Sequence, residues 1–157
     1  MKLHDIPNTV KKSVEEISQY NVKFTTIHLQ GGRDMIQAAN EAKGDTNILG
    51  VSLLTSLDDS DTRELYNNDF KKQFDNLINI AIETKIDGIV CSSKELELIK
   101  DTSLIKVVPG IRNQHIFDDQ KRVMTSGEAY SKGADYIVVG RPITQAKDIE
   151  EAIKDYS

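Results

Sequence analysis

A chain of 157 residues with 20 basic and 25 acidic side chains carries a formal net charge of −5. With no basic block, that balance argues against nucleic acid as the main partner. Apolar residues make up 38%, which excludes a disordered tail. No apolar run nears the roughly 18 residues of a membrane span, no charged-then-apolar leader opens the sequence, and one cysteine excludes a disulfide framework. The expectation is one cytoplasmic domain over residues 1–157, with no membrane partner.

In chain order, Lys2 and Asp5 flank a strand end ahead of Pro7. Residues 8–20 read as an amphipathic helix with Val10, Val14 and Ile17 on one face. Residues 24–29 are the first of five short β-branched runs; the others are 48–55, 88–91, 105–109 and 136–140. They are nearly continuous in apolar residues, as in a parallel sheet whose strands are covered on both faces. Residues 70–84 form a second amphipathic stretch, gathering Phe70, Phe74, Leu77, Ile78 and Ala81. Capping-box spacings from Ser92 to Glu95, Thr125 to Glu128 and Asp148 to Glu151 predict three helix starts. Gly133 predicts a helix stop. Strands alternating with helices imply right-handed βαβ units. At roughly 30 residues per unit, about five units exhaust the chain, whereas an eight-unit barrel normally takes ~250 residues and rarely fewer than ~200. The expected fold is α/β: a small open sheet, or a barrel with a piece missing.

The strand ends carry the candidate chemistry. Val138-Val139-Gly140-Arg141 ends an apolar run in glycine, which lets backbone N–H groups approach an anion, and then arginine, whose planar fork suits phosphate oxygens. The bland alternative is a strand-ending glycine with a surface arginine. Pro109-Gly110-Ile111-Arg112 ends another run ahead of the polar stretch that contains Gln120. That glutamine can donate its amide to a phosphate or a base, or the stretch can be a solvated turn. Two such ends side by side favour the phosphate reading. Thr55 and Ser56 supply hydroxyls that can bond a heterocycle or cap the turn before Asp58. Cys91 reads as an inert core thiol. His4, His28 and His115 lack metal-ligand spacing, so no metal site and no catalytic histidine pair is expected.

Together these blocks resemble the bacterial orotidine 5′-phosphate decarboxylases: KLHDIPNTV at 2–10, IHLQGG at 27–32, LLTS at 53–56, DGIVCSSKE at 87–95, PGIR at 109–112, DDQKRVMT at 118–125 and GADYIVVGRPIT at 133–144. The match runs along essentially the whole chain. The resemblance implies a homodimeric (β/α)₈ TIM barrel of pyrimidine biosynthesis that removes CO₂ from orotidine monophosphate to give UMP, without a cofactor. It casts Lys2 as proton donor to the reacting carbon. Asp5 belongs to an alternating lysine–aspartate array and, with Thr9, reaches into the partner subunit's site. Thr55, Ser56 and Pro109 lie at the base; Gln120, Gly140 and Arg141 hold the phosphate, with Arg112 near the phosphate loop.

One departure bears on activity. The family motif begins with an aspartate two residues before the lysine, a position that would precede Met1. A further lysine on the family's second strand, and a ribose-binding aspartate at the end of its first, have no counterpart. The resemblance therefore implies a partial barrel lacking about the first two βα units, ~70 residues short of the whole. Three roles stand open: one piece of an enzyme completed by an N-terminal fragment, a non-catalytic binder of nucleotide or phosphate, or a structural homo-oligomer reusing the scaffold.

Overall fold

The computed structural model describes residues 1–113 and 124–156. Six parallel strands form one sheet: β1 (Lys2–Leu3), β2 (Phe24–His28), β3 (Asn47–Val51), β4 (Gly88–Val90), β5 (Ile105–Pro109) and β6 (Tyr136–Val138). They lie side by side in sequence order. A sheet that winds one way without reversing is built like a barrel wall; a doubly wound open sheet changes direction at a switch point. Strand order therefore resolves the alternative that unit counting left open.

Seven α-helices are described, in every connection but that between β4 and β5, and beyond the last strand: α1 (Pro7–Ser18), α2 (Gly32–Ala42), α3 (Asp59–Tyr66), α4 (Phe70–Glu83), α5 (Ser126–Ser131), α6 (Arg141–Thr144) and α7 (Ile149–Lys154). None of the described helices is long and apolar enough to cross a membrane. Local chemistry sets their ends. Pro7 opens α1, where its missing N–H costs nothing. Thr125 and Glu128 exchange both bonds of a capping box at α5, and Gly133 (φ +93°) follows that helix. Asp148 caps α7 by accepting the Glu151 N–H at 3.0 Å. A further box joins Asp58 and Asp61 at α3, where the sequence reading had only a turn. The start expected at Ser92 is corrected: no α-helix opens there, only a short 3-10 turn over Leu96–Leu98. The expected strand 48–55 stops at Val51, because residues 53–56 turn away from the sheet.

The two sides of the sheet differ. Ile27, Ile48, Ile89 and Val108 are buried against Val14, Met35, Ile36, Phe74, Leu77 and Leu96 of the outer layer. That cluster takes in residues from Leu3 to Tyr156. Register places Lys2, Thr26, Leu49, Gly88 and Ile105 in one row of the opposite face, with Val51, Val107 and Tyr136 together in the next row. This second face is concave. Phe24 on β2 meets Tyr136 on β6 edge-on, with ring centroids 5.0 Å apart. In a flat sheet, strands four places apart would be separated by about 19 Å. Lys23 reinforces the meeting: its Nζ donates to the Tyr136 hydroxyl at 2.7 Å and stands 4.9 Å from that ring's centroid. Gly88 lies where neighbours crowd the strand; a Cβ there would sit 2.5 Å from the Ile105 carbonyl oxygen and 2.7 Å from Leu49 Cδ2.

Candidate functional site

The carboxyl ends of all six strands open at one mouth, the place where parallel barrels carry their chemistry. Almost every residue singled out from the sequence emerges there. Lys2 lies on β1, in register with Thr26, and its side chain is exposed on the concave face. Asp5 follows two residues after the strand; its Oδ1 accepts the Ile6 N–H at 2.7 Å, and no ion pair joins it to Lys2. Thr9 is exposed in the first turn of α1, its N–H donating to the Ile6 carbonyl at 3.1 Å.

Thr55 and Ser56 occupy the turn after β3, closed by the Leu57 N–H on the Leu54 carbonyl at 3.0 Å. Thr55 is half-buried and Ser56 exposed. Pro109 ends β5, and Gly110 beyond it takes the left-handed backbone (φ +77°) that glycine tolerates best. Arg112 is buried rather than spread over the surface; its Nη1 donates to the Ile111 carbonyl at 2.8 Å. Gly140 follows β6 with its backbone exposed, and an added Cβ would meet nothing within 4 Å. Half-buried Arg141 begins α6 directly after it. Gln120 lies outside the described residues.

Several groups at the mouth take places that the sequence reading did not assign them. His4 stacks on His28, centroids 5.3 Å apart and planes 24° from parallel. Burial, then the neighbouring His4 and Lys2 charges, hold the His28 imidazole below its ordinary value, with Gln30 partly offsetting them. Gln30 donates Nε2 to the Ser52 carbonyl at 2.8 Å. Glu95 is 1% exposed, and its carboxylate accepts the Ser92 N–H at 2.8 Å. The Ser92 hydroxyl is buried with no hydrogen-bond partner. The signal for this cluster was present as the Ser-x-x-Glu spacing, but it belongs to a strand-end loop and not to a helix cap. Beside it the Cys91 thiol is buried, and burial followed by the Glu95 charge pushes it far above the usual thiol range. Asn113 is a further silent residue. It accepts the Ser126 N–H at 2.8 Å and donates to the Asp155 carbonyl, tying the end of β5 to α5 and to the C-terminal segment.

Comparison with known proteins bears on the fold and the family. The orotidine 5′-phosphate decarboxylase of Aquifex aeolicus is 44% identical over 164 residues, covering 98% of this chain and 71% of the relative. That of Streptococcus pneumoniae serotype 19F is 43% identical over 166 residues, covering 99% of this chain and 71% of the relative. The solved orotidine 5′-phosphate decarboxylase of Lactobacillus acidophilus superposes with a TM-score of 0.83 at 30% identity, covering 99% of this chain and 73% of that one. The six strands thus form part of a (β/α)₈ barrel. The model of the orotidine 5′-phosphate decarboxylase / HUMPS family matches residues 1–156, and the chain belongs to that family.

Proposed function

We propose that this chain carries the phosphate- and base-binding half of an orotidine 5′-phosphate decarboxylase site and does not by itself decarboxylate. The observation behind the reading is the common mouth: Thr55 and Ser56, Pro109, and Gly140 with Arg141 leave the carboxyl ends of β3, β5 and β6 in the order the family motif sets. Gly140 leaves open room for an anion at its backbone, and Arg141 follows with a guanidinium suited to phosphate. The ligand in this reading is UMP or orotidine monophosphate held by its phosphate.

The chemical half is thinner. Loss of CO₂ leaves a pair of electrons on the pyrimidine carbon, and Lys2 is the ammonium placed to protonate that carbon. Such a step gains most from charges fixed in a site closed to water. Lys2 instead stands exposed on a two-residue rim strand. Asp5 spends one oxygen on its own turn. The other array residues of the family motif have no counterpart in these 157 residues. Groups that act as a unit lose nearly everything when several are missing.

A decarboxylation assay and calorimetry on the purified chain test both halves. The expected outcome is no turnover near the ~10 per second typical of enzymes, together with weak binding of UMP and inorganic phosphate. Arg141→Ala should cost on the order of 1.5–3 kcal/mol of that binding, as for a hydrogen bond to a charged group. Turnover at an enzymatic rate, or binding that Arg141→Ala leaves unchanged, refutes the proposal. A second role, completion by an N-terminal fragment, is favoured by the half-exposed Tyr136 and Val138 on β6, and activity that appears only when such a fragment is added would identify it.

A further inference from the structure

We propose that Glu95 is a positioning residue for the base end of the mouth: it holds the ends of β3 and β4 together and so sets where the turn bearing Thr55 and Ser56 leaves the sheet. This rests on the assignment of Thr55 and Ser56 to the base.

A carboxylate that is 1% exposed is costly to bury unless its oxygens are engaged. Glu95 Oε2 accepts the Ser92 N–H at 2.8 Å at the end of β4. The same oxygen lies 3.4 Å from the Ser52 hydroxyl, which shares its proton between Glu95 and the Val90 carbonyl 3.2 Å away. Ser52 is the first residue beyond β3. Its N–H also reaches the Val90 carbonyl, at 3.2 Å, and its own carbonyl takes the Gln30 amide from beyond β2. One side chain therefore stands at the junction of three strand ends. Ser52 and Leu53 are both buried, and the turn that presents Thr55 and Ser56 starts from them. Glu95 also contributes to the wall of a cleft of about 410 Å³, with Leu57 and Phe70. Among the described residues, Ser92 and Ser52 each present a donor to Oε2. Without an acceptor at that point they are stranded where water scarcely reaches, and the loops must shift to satisfy them.

The test compares Glu95→Ala with Glu95→Gln, which keeps an acceptor oxygen at the same reach. Calorimetry reads affinity for UMP and, separately, for inorganic phosphate. Amide exchange on the ligand-free chain reads Ser92 and residues 52–57. Glu95→Ala should weaken UMP by about tenfold while phosphate stays within about twofold. Exchange should quicken at those amides and not in β5 or β6. Glu95→Gln should restore most of both. Should Glu95→Ala fail to fold, Glu95→Asp, which withdraws the carboxylate by one methylene, takes its place with the same expectation. Unchanged exchange, or UMP and phosphate weakening together, overturns the positioning role. A wild-type chain that binds neither ligand refutes the site assignment instead, and the exchange measurement still decides whether Glu95 holds the two loops.

Discussion

At the centre of the mouth, Ser52, Leu53, Cys91, Ser92 and Glu95 are all buried, and hydrogen bonds tie the ends of β2, β3 and β4 to one another. At its rims the picture reverses. Lys2 and Gly140 are exposed, Tyr136 is 38% exposed and Val138 48%. A central strand has ladder partners on both sides and helices over its outer face; β1 and β6 each pair with one neighbour among the described residues. The geometry at the centre of the mouth is thus set by contacts that exclude water, whereas Lys2 and Gly140 depend on whatever covers the rims. Two halves of one candidate site have been given very different rigidity by their position in the sheet.

The largest effect should come from the covered layer. Phe74, fully buried on the inner face of α4, should cost about 3–5 kcal/mol when changed to alanine, as for other buried aromatics. Val138→Ala should stay within about 0.5 kcal/mol, as for a surface position. Urea unfolding measures both. A Val138 cost close to that of Phe74 breaks the comparison and means the β6 rim is covered in solution.

Self-association sharpens the same contrast. Open strand edges recruit other strands, and a few hundred Å² of wetted apolar surface at ~25 cal/mol per Å² is worth several kcal/mol. Light scattering at micromolar concentration should report a mass above the 17.6 kDa of one chain. One lysine tempers this expectation: Lys23 covers part of the Tyr136 ring, a blunting that the composition of the strands did not suggest. A well-behaved monomer would mean that curling and this lysine suffice.

The smallest effect is a pH dependence at the β1–β2 rim. His28 is held below its ordinary value of 6.5 by burial and then by its cationic neighbours. As pH falls through that ordinary value, the unfolded chain takes the proton first, so stability declines until the folded form is protonated too. His28→Asn should flatten this part of the profile, read as urea midpoints between about pH 8 and about pH 5. Identical slopes in the two proteins would show that the His4–His28 stack is open to water.

Much of this molecule is legible residue by residue. Patterns in a short window depend on neighbours a few positions away, so the apolar runs located the five longer strands and spacing located the caps at Thr125 and Asp148. The α1 and α4 helices, Pro7–Ser18 and Phe70–Glu83, lie within two residues of the stretches 8–20 and 70–84. The motif blocks carried the family for the same reason, since they mark strand ends that any parallel barrel turns toward one mouth. Other features are relations between distant segments and have no local signature. Strand order decided barrel wall over open sheet. Curling brought Phe24 to Tyr136, 112 positions apart in sequence by their numbers and touching in space. Ser92 and Glu95 have the spacing of a helix cap, yet the ends of β3 and β4 converge there and turn the glutamate into a buried tie. Whether an acidic side chain caps a helix or braces a site depends on what lies across from it, and that is settled only when the chain closes on itself.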